Sequence, residues 1–231
     1  MTTRRRPYLA LIAALVTAAL VGLGVWQLER RAWKLDLIAR VDARIHAAPT
    51  AFPWGGGDPK DLEYARVRVT GVFDHDRETF VQALTARGAG FWVLTPLRTA
   101  DGTVLINRGF VPEDRRDPWS RAAGQVAGPA TITGLVRLSE PGGGFLRSND
   151  PAADRWYSRD VAAIAAAKGL GRVASHFVDA DATPNPGGYP AGGLTVVSFR
   201  NTHLVYALTW FALAGLAAFG TWLFWRGERR A

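Results

Sequence analysis

Two membrane-spanning helices bracketing one mostly antiparallel, barrel-like α+β domain is the architecture this 231-residue chain predicts. Three observations carry it. The 22 residues 7–28 and the 25 residues 201–225 contain no Asp, Glu, Lys or Arg. About 20 apolar residues suffice for a helix to cross roughly 30 Å of hydrocarbon. Residues 29–200 between them hold several short runs that alternate apolar and polar, the period of a half-buried strand. Residues 1–6 and 226–231 are then short tails.

The first run, residues 7–28, carries Tyr8 and Trp26 near its ends. The second, residues 201–225, carries Tyr206, Trp222 and Trp225. Such residues collect at the headgroup level. Arg4, Arg5 and Arg6 precede the first run, and Arg226, Arg229 and Arg230 follow the second. Cations mark the cytoplasmic side, so both termini are expected there and residues 29–200 on the other side, in a periplasm or an intermembrane space. A cleaved signal peptide is the rival reading of the first run, with Thr17-Ala18-Ala19 as its processing site. The length of the run and its Trp26-Gln27 end favour a retained anchor. No presequence-like stretch stands before it, which favours a bacterial inner membrane. Small residues allow close helix approach. Ala10, Ala14, Ala18 and Gly22 recur every four residues in the first run. In the second, a 100° step gathers Ala207, Trp210, Ala214, Ala217 and Thr221 around His203.

The intervening domain opens with helical spacing at Trp33, Leu37, Ile38 and Val41, then a Pro- and Gly-rich loop at 49–59. Strands are expected near 64–70, 79–84, 91–97, 103–110, 130–138 and 173–179. In the first of these Val67 and Val69 face one way, Arg66 and Arg68 the other. Asp101-Gly102 between two runs is a hairpin signal. Residues 160–168 form a short Ala-rich helix with Gly169 as C-cap. Residues 183–193 are loop.

Composition narrows the function. The chain has no Cys, which removes disulfide scaffolds, thiolate metal sites and thiol nucleophiles. The net charge is +8, but the two tails hold five of those charges, so the basic character points to membrane lipid and not to nucleic acid. Only Lys34, Lys60 and Lys168 are lysines. The arginine bias is either base composition or a taste for bidentate carboxylate partners. The chain lacks a nucleophile elbow, a zinc-protease helix motif and a phosphate loop; Gly142-Gly143-Gly144 reads as a flexible turn. Asp74-His75-Asp76 could orient a general base, but a turn uses the same residues. A non-enzymatic role follows.

His203 stands apart. An ionisable residue in a span is a candidate functional group. One reading is an interfacial imidazole bonded to headgroups or to Gln27. The other is an axial haem ligand, and so a metal ligand. Trp210, Tyr206, Phe211 and Trp26 would wall a flat macrocycle, and Arg200 would meet its propionates.

The sequence resembles the surfeit locus protein 1 family, assembly factors for cytochrome c oxidase. The matching segments include Gly24-Val-Trp-Gln-Leu-Glu-Arg, Tyr64-Ala-Arg-Val-Arg-Val-Thr-Gly-Val-Phe-Asp-His and Gly90-Phe-Trp-Val-Leu-Thr-Pro-Leu. Asp101-Gly-Thr-Val-Leu-Ile-Asn-Arg-Gly-Phe-Val-Pro, Phe145-Leu-Arg-Ser-Asn-Asp-Pro, Trp156-Tyr-Ser-Arg-Asp and Asn201-Thr-His-Leu-Val-Tyr follow in order. The resemblance implies a chaperone for the haem–copper centre of oxidase subunit I. Some bacterial members are thought to bind haem a through a histidine at the start of the second span, here His203. It also implies haem a synthase as a partner. A haem-free factor that stabilises an assembly intermediate is the alternative. Arg108 and Arg159 are expected to pair with carboxylates inside the domain.

Overall fold

The computed structural model describes residues 6–55 and 57–228, so the charges at Arg4, Arg5, Arg229 and Arg230 lie outside the described residues. Two compact units emerge. One comprises residues 42–196, the other the described parts of 1–41 and 197–231.

The second of these is built on two helices. Helix α1 runs Arg6–His46, 41 residues. At 1.5 Å per residue it is roughly 60 Å long, about twice a hydrocarbon layer. The helical spacing expected at Trp33–Val41 is the continuation of this one helix. Helix α4, by its place in the chain, spans His203–Glu228. Both are long and apolar enough to cross a membrane, and only 6% and 11% of their most apolar windows are buried. A core helix of a soluble domain hides its apolar face; these expose theirs on nearly every side, as helices solvated by lipid do.

Residues 42–196 form the β domain. Its strands are β1 (Thr50–Ala51), β2 (Arg66–Phe73), β3 (Thr79–Thr85), β4 (Gly88–Arg98), β5 (Thr103–Pro112), β6 (Pro129–Leu138), β7 (Gly143–Gly144), β8 (Arg147–Ser148) and β9 (Val173–Ala180). Helices α2 (Pro59–Leu62) and α3 (Val161–Ala167) are short. The sheet order is β1-β2-β6-β9-β5-β4-β3, and β2 also pairs with β4. That last pairing, Val72 opposite Arg98 and Phe73 opposite Leu97, closes five strands into a barrel. Closure pairs the edges of the five strands, and β1 and β3 remain as the outer strands of the sheet. The pairs β5–β9 and β1–β2 are parallel and the others antiparallel, so the barrel is mixed.

Alternation explains the core. Val67, Val69 and Phe73 of β2 pack with Leu97, Val104, Ile106, Val136 and Val178 in one cluster. Arg68 of β2 faces out. Strand β5 is buried at all but its end positions because both its faces are covered. Its Leu105 joins Leu94, Phe177, Trp156 and the α3 residues Val161 and Ile164 in a second cluster. Helix α3 starts where Asp160 accepts a hydrogen bond from the Ala163 N–H at 3.1 Å, an N-cap. The hairpin at Asp101-Gly102 forms as expected, with the Thr99 N–H on the Gly102 carbonyl at 2.8 Å. The Gly142–Gly144 stretch differs from expectation: Gly143 and Gly144 pair with Ser148 and Arg147 in a small hairpin of their own.

Candidate functional site

His203 is the first residue of α4. Its Nδ1 lies 2.7 Å from Gln27 Oε1 on α1. Eight residues further along α4, Phe211 packs against Gly24, three residues before Gln27. A Cβ at Gly24 would sit 2.5 Å from the Phe211 ring, so only glycine permits this approach. The two contacts run in opposite senses along the helices, which makes the pair antiparallel. Ala207 and Ala214, a turn or so from these contacts, are buried in the same seam. Trp210, Ala217 and Thr221 are half-buried beside them, so the expected face of the second span is the one used.

The first span uses a different face from the one its small residues mark. Ala14, Ala18 and Gly22 are exposed, and nothing lies within 4 Å of a Cβ built on Gly22. Gly24 is buried, and Ala13, Thr17, Leu20 and Gln27 are half-buried. The spacing of alanines marked a stripe; Gly24 and Gln27, which meet Phe211 and His203, lie about 100° and 160° round the helix from its centre, at 100° per residue.

Phe211, expected as a wall of a flat pocket, fills the space over Gly24. The helices touch there. Trp26 and Tyr206 remain outside the seam, 52% and 53% exposed. A 100° step on antiparallel helices puts both on one flank, opposite the Gly24–Phe211 side. Arg200 is exposed in the irregular segment before α4. On α1, Gln27, Arg31 and Lys34 follow at i, i+4 and i+7 on one half-buried face. The Lys34 ammonium lies 5.1 Å from the centroid of the Phe199 ring. An iron macrocycle needs a nitrogen donor, apolar walls and cations for its acidic edge. His203 with its Nε2, the exposed Trp26 and Tyr206, and Lys34 and Arg200 are residues of these types.

Inside the β domain a second polar constellation lies where sequence reasoning placed only one of its members. Glu78, Arg108 and Arg121 are all buried. Arg108 Nη1 is 3.2 Å from Glu78 Oε1, and Arg121 Nη2 is 2.5 Å from Oε2. Burial pushes the Glu78 carboxyl up, but hydrogen bonds from His75 and Arg121 and the charges of Arg121 and Arg108 outweigh it and hold it at about 2. Burial, aided by the like charge of Arg121, pulls Arg108 down to about 10 against the attraction of Glu78. The Arg108 guanidinium also bonds the Gly124 carbonyl and lies over the Phe73 ring. Gly109, at φ +125°, lets the next residue, Phe110, bridge to Ala191. Arg159 pairs with Glu140 at 2.5 Å and with Asp179 at 3.2 Å, as expected of it. Glu78 and Arg121 carried no spacing signal; a polar residue opening a strand is common.

The Asp74-His75-Asp76 stretch is a tight turn at the start of a 3-10 segment, His75–Arg77. His75 Nε2 bonds the Val126 carbonyl at 3.0 Å, and Asp74 lies 3.7 Å from Arg77. The ring is a strut between two loops. Beside it a cleft of about 530 Å³ is lined by His75, Asp76, Glu78, Phe80, Trp119 and Gln125, among others.

Comparison with known proteins places the chain. Residues 14–215 match the model of the SURF1 family. Surfeit locus protein 1 of Mus musculus is 39% identical over 222 residues, covering 89% of this chain and 72% of that protein. The Homo sapiens protein of the same name is 35% identical over 230 residues, covering 92% and 76%. A SURF1-like protein of Monosiga brevicollis is 39% identical over 234 residues, covering 95% and 87%. A barrel between two apolar helices, matched from the first helix to the middle of the last, leads to one conclusion: the chain belongs to the SURF1 family, known as cytochrome c oxidase assembly factors.

Proposed function

We propose that this protein is a membrane-anchored, non-enzymatic chaperone that holds haem a for insertion into subunit I of a haem–copper oxidase. Haem a synthase is its donor in this reading. His203 Nε2 is the axial ligand, Trp26, Tyr206 and Trp210 line the apolar face, and Arg200 meets the propionates. Bound haem a supplies the redox-active iron that the client oxidase needs. The protein's own residues do the holding: one imidazole, an exposed aromatic flank, and cations next to the seam. A single protein ligand suits a carrier, because a second would slow release. Both termini are cytoplasmic in this reading, and residues 42–196 lie on the far side of a bacterial inner membrane.

The observation that carries the reading is His203 itself. One ring nitrogen is engaged by Gln27, and the other has no protein partner among the described residues, at the head of an apolar helix. The test is the visible spectrum of the detergent-purified protein from cells that make haem a, beside His203→Ala. A haem a band in the parent that is lost or shifted in the variant is the expected result. Haem-free protein from haem-a-replete cells would defeat the carrier.

The alternative is a haem-free factor that stabilises an assembly intermediate. It is favoured by Trp119, Phe145 and Leu146 of the β domain, which are 86%, 92% and 88% exposed. Contiguous exposed apolar surface marks protein-docking sites, and Phe145 and Leu146 are neighbours in the chain. Full oxidase assembly with His203→Ala would decide for it.

A further inference from the structure

We propose that Gln27 is a positioning residue that sets the tautomer and ring orientation of His203, and so presents Nε2 to the ligand. The inference rests on the haem-carrier reading and gives Gln27 a role that reading leaves unassigned. Gln27 Oε1 can only accept, so at 2.7 Å the His203 Nδ1 must carry the proton. Nε2 then keeps its lone pair. A histidine in water favours the other tautomer, with the proton on Nε2, where it would block a metal. The carboxamide therefore selects the form of the ring that can ligate, before any iron arrives.

Three further features support the role. The two residues are 176 positions apart in the chain, so the bond exists only when the helices are paired. Gln27 is half-buried in the seam and α1 is helical on both sides of it, which fixes where its amide can reach. The Gly24–Phe211 contact one turn deeper locks the helix register that brings the two side chains together. A metal-bound imidazole is generally oriented by an acceptor on its second nitrogen, and loss of that acceptor weakens binding roughly 10–100-fold. A neutral carboxamide acceptor orients the ring without making it as basic as a carboxylate would. That suits a ligand that must later let go.

Two readouts test this, one of them free of haem. In full-length protein labelled with ¹⁵N-histidine, the His203 resonances are identified by their loss in His203→Ala. The parent should show the Nδ1–H form, and Gln27→Leu should revert to the Nε2–H form. Gln27→Leu should also weaken haem a binding by roughly tenfold or more. Gln27→Glu, which keeps an acceptor, should restore binding and lower the haem reduction potential. Leu and Glu form helices as well as Gln, so α1 is preserved. An Nε2–H form in the parent, or unchanged haem affinity in Gln27→Leu, overturns the inference. Haem binding that survives His203→Ala overturns the carrier reading itself, whatever Gln27 does.

Discussion

Glu78 shows how much one side chain can hold together. It is the only carboxylate shared by two buried guanidiniums, Arg108 and Arg121, among the described residues. Removing one partner of such a group leaves the others charged and dry, at a cost of about 3–5 kcal/mol. Glu78→Gln should lower the stability of the β domain by about that much in denaturant melts. The pH dependence has a defined sign. The folded carboxyl sits at about 2, against 4.5 for an ordinary Glu. Its contribution is therefore complete above pH 4.5 and lost as the pH falls from there towards 2. Melts at pH 7, 4.5 and 3 should show the parent losing a step of stability that the Glu78→Gln variant has already lost. Arg108 was legible as a residue needing a carboxylate, since a guanidinium within an apolar strand must be paired. Its partner was not legible, because Glu78 and Arg121 lie 30 and 13 positions away and meet Arg108 only when the barrel closes.

Helices and strands followed their patterns unequally. The strands beginning at Arg66, Thr79, Thr103, Pro129 and Val173 lie within a few residues of where alternation placed them. Strand β5 breaks alternation because both its faces are covered, a fact that belongs to α3 and Trp156 and not to its own residues. In the membrane-type helices the second span showed its packing face and the first did not. On α4 the small residues, Trp210 and His203 fall together. On α1 Ala14, Ala18 and Gly22 of the stripe face outward, where small size has no consequence, Ala10 is half-buried, and one glycine, Gly24, decides the contact with Phe211. Gly24→Leu should drive a side chain into Phe211, lower thermal stability in detergent by about 1–3 kcal/mol and separate Gln27 from His203. Gly22→Leu, at a position with open space around it, should leave the melting temperature unchanged.

For the molecule as a whole, charge placement makes the strongest prediction. Gly128 is exposed in the loop before β6, with nothing within 4 Å of an added Cβ, so an inserted reporter should not disturb the barrel. A periplasm-active reporter there should be active, and one fused after residue 231 should report cytoplasm. A cytoplasmic signal from Gly128 would reverse the proposed topology. Two apolar spans, an alternating β segment between them and a lone histidine at the head of the second span were all present in the linear order of residues. Each depends on local quantities: hydropathy over about 20 positions, a period of two, and one ionisable group among apolar neighbours. The bond from His203 to Gln27 was one of the readings the sequence offered, and the paired helices selected it. The closure of five strands, the sharing of Glu78 and the face of α1 depend on residues far apart in the chain. Nothing in the local sequence encodes which of them meet, because a contact contributes its energy only when packing brings both partners to the same place.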